Sequence, residues 1–230
     1  MKKTVFLTFS MLFFGLQLFA QITLKNNTNV HDGKGRTYTA KAGTTVSYYG
    51  NGAIRNFVPK YNTSVWDGKG RSYNAQLDYA INCFQNGSVQ SFTPKYNSSV
   101  WDGKGRSYTA LLGKQISFFE NGSVQSFTPK YNMSVWDAKG RSYNAQLGFE
   151  ASFYQNGAVY RFTPKYNTSV WDGKGRSYTA KLGSPVEFYD TGVVKSFYLK
   201  YNSAVWEGQG KSYTAKAGTK VSLDSKGNVM

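Results

Sequence analysis

The sequence predicts an all-β protein: six 35-residue repeats of short antiparallel strands, stacked as an open β-hairpin solenoid or ribbon. Three observations lead there. The phrase WDGKGRSY at 66–73 returns unchanged at 101–108 and 171–178, with close copies HDGKGRTY at 31, WDAKGRSY at 136 and WEGQGKSY at 206, so the starts are always 35 apart. Between glycine-rich turn signals lie short runs rich in β-branched and aromatic residues, the composition of half-buried strands. No segment carries a sustained helical apolar period.

Ahead of the repeats, MKKTVFLTFSMLFFGLQLFA shows two lysines, a mostly apolar stretch from Val5 to Phe19 and a small residue at Ala20. That is the layout of a secretory signal peptide, which predicts residues 1–20 as a cleaved leader and 21–230 as a single domain. A membrane anchor is the alternative reading, but the apolar run is short and broken by Thr8, Ser10 and Gln17. Gln21, not a cysteine, stands directly after the cleavage point, which argues against a lipoprotein, and nothing later resembles a transmembrane helix. The expected location is outside the cytoplasm: periplasmic, cell-surface or extracellular.

The 210 residues after Ala20 are six times 35, so the mature chain is all repeat. Without Lys2 and Lys3 it keeps 26 basic against 12 acidic residues, a net of +14. For an exported chain this balance points to an anionic polymer, a cell-surface glycan or a protein partner, with peripheral surface association possible and no nucleic acid expected. The single cysteine, Cys83, rules out an intrachain disulfide, so stability must come from packing. Cys83 stands in a column otherwise filled by Tyr48, Phe118, Phe153, Phe188 and Leu223, which reads as a buried apolar position.

Each repeat divides in order into four strands. In 186–220 they are VEFY, VVKSFYL, SAVW and KSYTAK, separated by turn signals at DTG, KYN, EGQG and KAGT. The first turn reads Asn-Gly at 86, 121 and 156, a pair favoured by two-residue hairpin turns in which both central residues need positive φ. A fainter half-repeat, FYDTGVVKSF against VWEGQGKSYT, gives two unequal hairpins per repeat and twelve in all. A lone hairpin is marginal in water, so each must pack on its neighbours, with Trp66, Trp101, Trp136, Trp171 and Trp206 as one column and Tyr73, Tyr108, Tyr143, Tyr178 and Tyr213 as another.

The segments FFENGSVQSF at 118–127 and FYQNGAVYRF at 153–162 resemble variant MORN-type β-hairpin repeats, whose motif is an aromatic pair followed by Asn-Gly and a short strand. The resemblance covers roughly ten residues of each 35 and does not extend to the WDGKGRSY half. It implies a hairpin-repeat scaffold or binding surface without catalysis.

Two architectures can stack such hairpins. ITLK at 22–25 aligns with FYLK at 197–200, so the N-terminal strand could complete the last unit of a closed six-bladed propeller. Against closure, His31 stands where tryptophan stands elsewhere, Asn26 replaces the tyrosine of KYN, and Leu223-Asp224 replaces an aromatic pair. Polar ends are what an open stack needs. A single ribbon of about 24 strands would run near 115 Å and set equivalent residues about 19 Å apart.

The candidate chemistry lies in columns. Asp32, Asp67, Asp102, Asp137 and Asp172, closed by Glu207, offer one carboxylate per loop, too few for calcium, and read as turn caps. Lys34, Lys69, Lys104, Lys139 and Lys174 occupy the turn, Arg36, Arg71, Arg106, Arg141 and Arg176 follow it, and Lys60, Lys95, Lys130, Lys165 and Lys200 form a third basic column. The candidate ligand-binding set is Trp66, Trp101, Trp136, Trp171 and Trp206 with Arg71, Arg106, Arg141, Arg176, Lys69, Lys104 and Lys174. These aromatics serve either as packing or as sugar-stacking platforms, and an Arg beside an aromatic could form a cation–π pair. Every polar residue belongs to a repeated column, whereas catalysis needs one asymmetric constellation, so no enzyme, cofactor or metal site is expected. The predicted function is an exported binding surface that presents periodic basic and aromatic residues to an extended anionic or glycan partner. The alternatives are a lectin-like polysaccharide module and a pure protein-interaction scaffold.

Overall fold

The structure is a computed structural model and describes residues 21–230; the leader expected at 1–20 lies outside the described residues. It is all-β, with 24 short strands in two layers. One layer is a continuous 12-stranded antiparallel sheet, to which each full repeat gives the two strands flanking its Asn-Gly turn, such as Ile81–Cys83 and Val89–Phe92. The other layer is six separate two-stranded hairpins, each made by the strands flanking a WDGKGRSY-type turn, such as Thr63–Trp66 and Ser72–Ala75.

The array is open. Gln21–Thr23 and Lys220–Ser222 stand at opposite ends of the sheet order, so the closed propeller is not formed. The single 24-strand ribbon is corrected as well. Two layers of 12 strands give a length of about 55 Å and a rise of about 9.6 Å per repeat, half the sequence-based estimates. Equivalent side chains therefore lie close to one screening length apart, and the basic columns act on one another more than a long ribbon would allow.

The period-2 pattern decides what the layers bury. In Ser72–Ala75, Tyr73 and Ala75 point to the sheet while Ser72 and Asn74 are exposed. The facing sheet strands bury Ile81, Cys83, Val89 and Phe92. Tyr73 lies between Phe92 and Phe118 with ring centroids 5.5 and 5.2 Å away, and the arrangement recurs at Tyr108 and Tyr143. Such tilted ring pairs contribute about 0.5–1.5 kcal/mol each beyond area burial. Cys83 takes a Phe position in this ladder, and burial, with the Asp32 carboxylate adding, pushes its thiol up to about 12.

The Asn-Gly turns differ from the expected two-residue form. Only the glycine has positive φ, 81° at Gly87, and Gly87 N–H donates to Phe84 C=O while Phe84 N–H donates to Ser88 C=O. This is a three-residue loop with a bulge. Asn86 owes its place to its side chain, which accepts the Ser88 N–H at 2.9 Å.

Candidate functional site

The WDGKGRSY turn builds a compact network, seen well at Asp67. Gly70, φ 78°, closes the turn by donating its N–H to Asp67 C=O. The Asp67 side chain is fully buried, and its Oδ1 accepts the backbone N–H groups of Lys69 and Arg71 at 2.9 and 3.0 Å. Its Oδ2 accepts Arg71 Nε–H at 2.6 Å and the Tyr73 hydroxyl at 2.9 Å. Burial, then the neighbouring aspartate, raises the tyrosine hydroxyls of Tyr38, Tyr73, Tyr108 and Tyr143 far above their usual range. Aspartate thus caps the turn, as expected, and also anchors an arginine and a tyrosine.

Each arginine then reaches across two boundaries. The Arg71 guanidinium stacks on Trp101 at 4.5 Å from the ring centroid, and its Nη2 donates to Gly122 C=O in a turn of the facing sheet. The same triple contact holds for Arg36, Arg106, Arg141 and Arg176, which stack on Trp66, Trp136, Trp171 and Trp206 at 4.1–4.7 Å. The structure therefore places the candidate Trp and Arg residues in contacts that fasten one repeat to the next. The five Trp rings are half-buried. Lys69, Lys104 and Lys174 are exposed at the turn tips, and Lys174 Nζ donates to Asn228 Oδ1 at 3.1 Å.

The last repeat breaks the network. Glu207 and Lys211 replace Asp and Arg, the strands extend to Ser203–Gly208 and Lys211–Ala215, and Gln209 and Gly210 both take positive φ, 47° and 77°. Glu207 is exposed, and Tyr213, expected in the buried tyrosine column, is 45% exposed. A side chain one methylene longer than Asp cannot cap the same turn, so a two-residue hairpin turn replaces it.

Sequence reasoning passed over a further aromatic column. Tyr61, Tyr96, Tyr131, Tyr166 and Tyr201, the tyrosines of KYN, are 55–60% exposed, and the preceding lysine Nζ lies 5.0–5.8 Å from each ring centroid. The signal was present: an aromatic inside a turn motif has no strand to carry it to the core. The adjacent asparagine does the structural work there, with Asn62 Oδ1 accepting Leu77 N–H at 3.0 Å.

Between neighbouring hairpins the outer layer leaves clefts. One, of about 210 Å³, lies between Ser72–Ala75 and Ser98–Trp101, with Asn74, Tyr96, Ser99 and Trp101 among its walls. A second, of about 200 Å³, occupies the equivalent place one repeat on, with Ser107, Thr109, Tyr131 and Asn132 among its walls. Among the described residues no cluster of His, Cys, Asp and Glu could hold a metal, and no helix is long and apolar enough to cross a membrane. No protein-family model matches the chain, and no curated protein matches it.

Proposed function

We propose that the chain is an exported, non-enzymatic binding module that lays a periodic basic and aromatic surface along an extended anionic partner. The observation that carries this reading is the Lys-Tyr pair of KYN, which recurs five times at a rise of about 9.6 Å with its tyrosine exposed and its lysine half-buried beside the ring. A tyrosine left exposed in five consecutive repeats, beside a lysine each time, exceeds what packing needs. The net charge of +14 over residues 21–230 supports an anionic partner, and weak contacts repeated in register gain strength through effective concentration. The likeness to MORN-type hairpin repeats and the leader-like residues 1–20 fit a surface module working in the periplasm, at the cell surface or outside the cell.

Relative to the set chosen from sequence, contact with the partner moves from arginine to the Lys-Tyr column and the turn-tip lysines, because the guanidiniums are engaged inside the array. A scaffold role is the second reading, favoured by the Arg–Trp contacts that join every repeat to the next. Calorimetric titration of residues 21–230 with hyaluronan, polyglutamate and neutral dextran at about 50 and 200 mM salt separates the two. The binding reading expects anionic polymers to bind and to weaken with salt. Absence of binding to all three would leave the scaffold.

A further inference from the structure

We propose that the clefts between outer hairpins are sugar subsites for a linear acidic polysaccharide running along the repeat axis, two sugars to each 35-residue repeat. This rests on the binding-surface reading and names the partner's chemistry.

The first argument is the free backbone. Asp67 N–H donates to Arg71 C=O, so antiparallel alternation makes 65/73 and 63/75 the bonded pairs of that hairpin. The peptide groups of Ser72 and Asn74 then face away from it, towards the next hairpin. Lys95 N–H donates to Asn74 C=O at 2.9 Å, which uses that carbonyl and closes the cleft at one end. By the same alternation, the peptides of Ser99 and Trp101 face back from the opposite wall. No ladder joins these two strands. The cleft thus presents peptide N–H and C=O groups together with the side chains of Ser72, Asn74 and Ser99, while the Ser98 hydroxyl already donates to Tyr96 C=O. Apart from Arg71, whose guanidinium is held by Asp67, Gly122 C=O and Trp101, the lining is one of neutral donors and acceptors, which matches the hydroxyls of a sugar ring.

The second argument is the aromatic at the mouth. Tyr96 lines the first cleft and Tyr131 the second, each more than half exposed, so a ring is available to stack on the C–H face of a pyranose. The third is spacing with charge. A rise of about 9.6 Å is close to the length of an extended disaccharide, and each repeat adds one lysine, Lys95 or Lys130 here, beside that tyrosine. One carboxylate per disaccharide would meet one ammonium per repeat.

The test is calorimetry on residues 21–230 with hyaluronan oligosaccharides from about four to about twelve sugars, with polyglutamate and poly-uridylate in parallel. The inference expects affinity to climb with each added disaccharide, and the double variant Tyr96→Ala, Tyr131→Ala, altered only at exposed rings, to bind about ten-fold more weakly while its urea midpoint holds. A second variant, Lys95→Gln with Lys130→Gln, should lose salt-sensitive affinity and keep the dependence on sugar number. Equal binding of polyglutamate or poly-uridylate, or indifference to the tyrosine changes, would overturn the sugar subsites and leave a general anionic surface. Failure of all three polymers to bind would overturn the surface reading as well.

Discussion

Replacing Asp102 by asparagine isolates the turn network in the middle of the array. The buried carboxylate accepts the N–H groups of Lys104 and Arg106 on Oδ1, and Arg106 Nε–H at 2.6 Å and the Tyr108 hydroxyl at 2.9 Å on Oδ2. An asparagine can keep Oδ1 on the two amides, but its NH₂ then faces the Nε–H, donor against donor. The lost charge-assisted bond is worth about 1.5–3 kcal/mol, and a stranded buried donor costs about 1–3 more. The Arg106 side chain is a quarter exposed, so water recovers part of this, and a loss of about 3 kcal/mol is expected. Because Arg106 also holds Trp136 and Gly157, the damage should fall on the repeat interface and lower cooperativity. Urea unfolding followed by tryptophan fluorescence reads the loss, with Glu207→Gln as control. Glu207 occupies the aligned position but is exposed, so its change should stay within about 0.5 kcal/mol. A loss at Asp102 below about 1 kcal/mol would refute the reasoning.

Three other outcomes are expected. Gly68→Ala should destabilise by about 1–3 kcal/mol in the same urea assay, since its Cβ would stand 2.0 Å from Glu120 C=O; the reverse change Ala138→Gly, made where the facing turn reads Asp-Thr-Gly, should be nearly neutral. Asp78→Gly should stabilise by up to about 1 kcal/mol, because Asp78 holds φ 67° where the other repeats have glycine, and its ion pair with Lys41 is exposed; a clear loss in urea would show that the pair outweighs the strain. Alkali should unfold the array above about pH 10. Tyr38, Tyr73, Tyr108 and Tyr143 keep their protons when folded while the unfolded chain loses them, so stability is intact below pH 10 and falls above it by about 1.4 kcal/mol per pH unit per tyrosine. Tyrosinate absorbance with no cooperative step at the unfolding transition, over and above the gradual rise from the exposed tyrosines, would contradict this.

Strand positions were legible because turn residues and period-2 patterning are local. The runs read from 186–220 lie within a few residues of Val186–Phe188, Val194–Tyr198, Ser203–Gly208 and Lys211–Ala215. Assembly into layers was not legible, since whether two hairpins pair edge to edge or face to face depends on contacts 30 to 51 residues apart, such as Arg71 with Trp101 and Gly122. The same distance effect hid the contacts that the candidate arginines and tryptophans make with one another. Arginine and tryptophan look alike in sequence whether they meet a ligand or each other, and here each arginine finds the tryptophan of the next repeat. The exposed tyrosine of KYN was hidden by its neighbours, since the lysine read as charge and the asparagine as turn. The network is lost in the last repeat through one extra methylene at Glu207 and the missing guanidinium at Lys211, and only the geometry of the Asp turn gives those differences meaning.

The most direct test of the binding surface is a five-fold variant, Lys60→Gln, Lys95→Gln, Lys130→Gln, Lys165→Gln and Lys200→Gln, titrated with hyaluronan beside the unaltered chain. Their backbone N–H groups, such as Lys60 to Thr39 C=O at 3.0 Å and Lys95 to Asn74 C=O at 2.9 Å, survive the substitution, so the fold and its urea midpoint should hold. The account predicts that affinity falls at least about ten-fold and that most of its salt dependence disappears. Unchanged affinity in a folded variant would contradict it and return the Lys-Tyr column to the status of a solvated surface stripe.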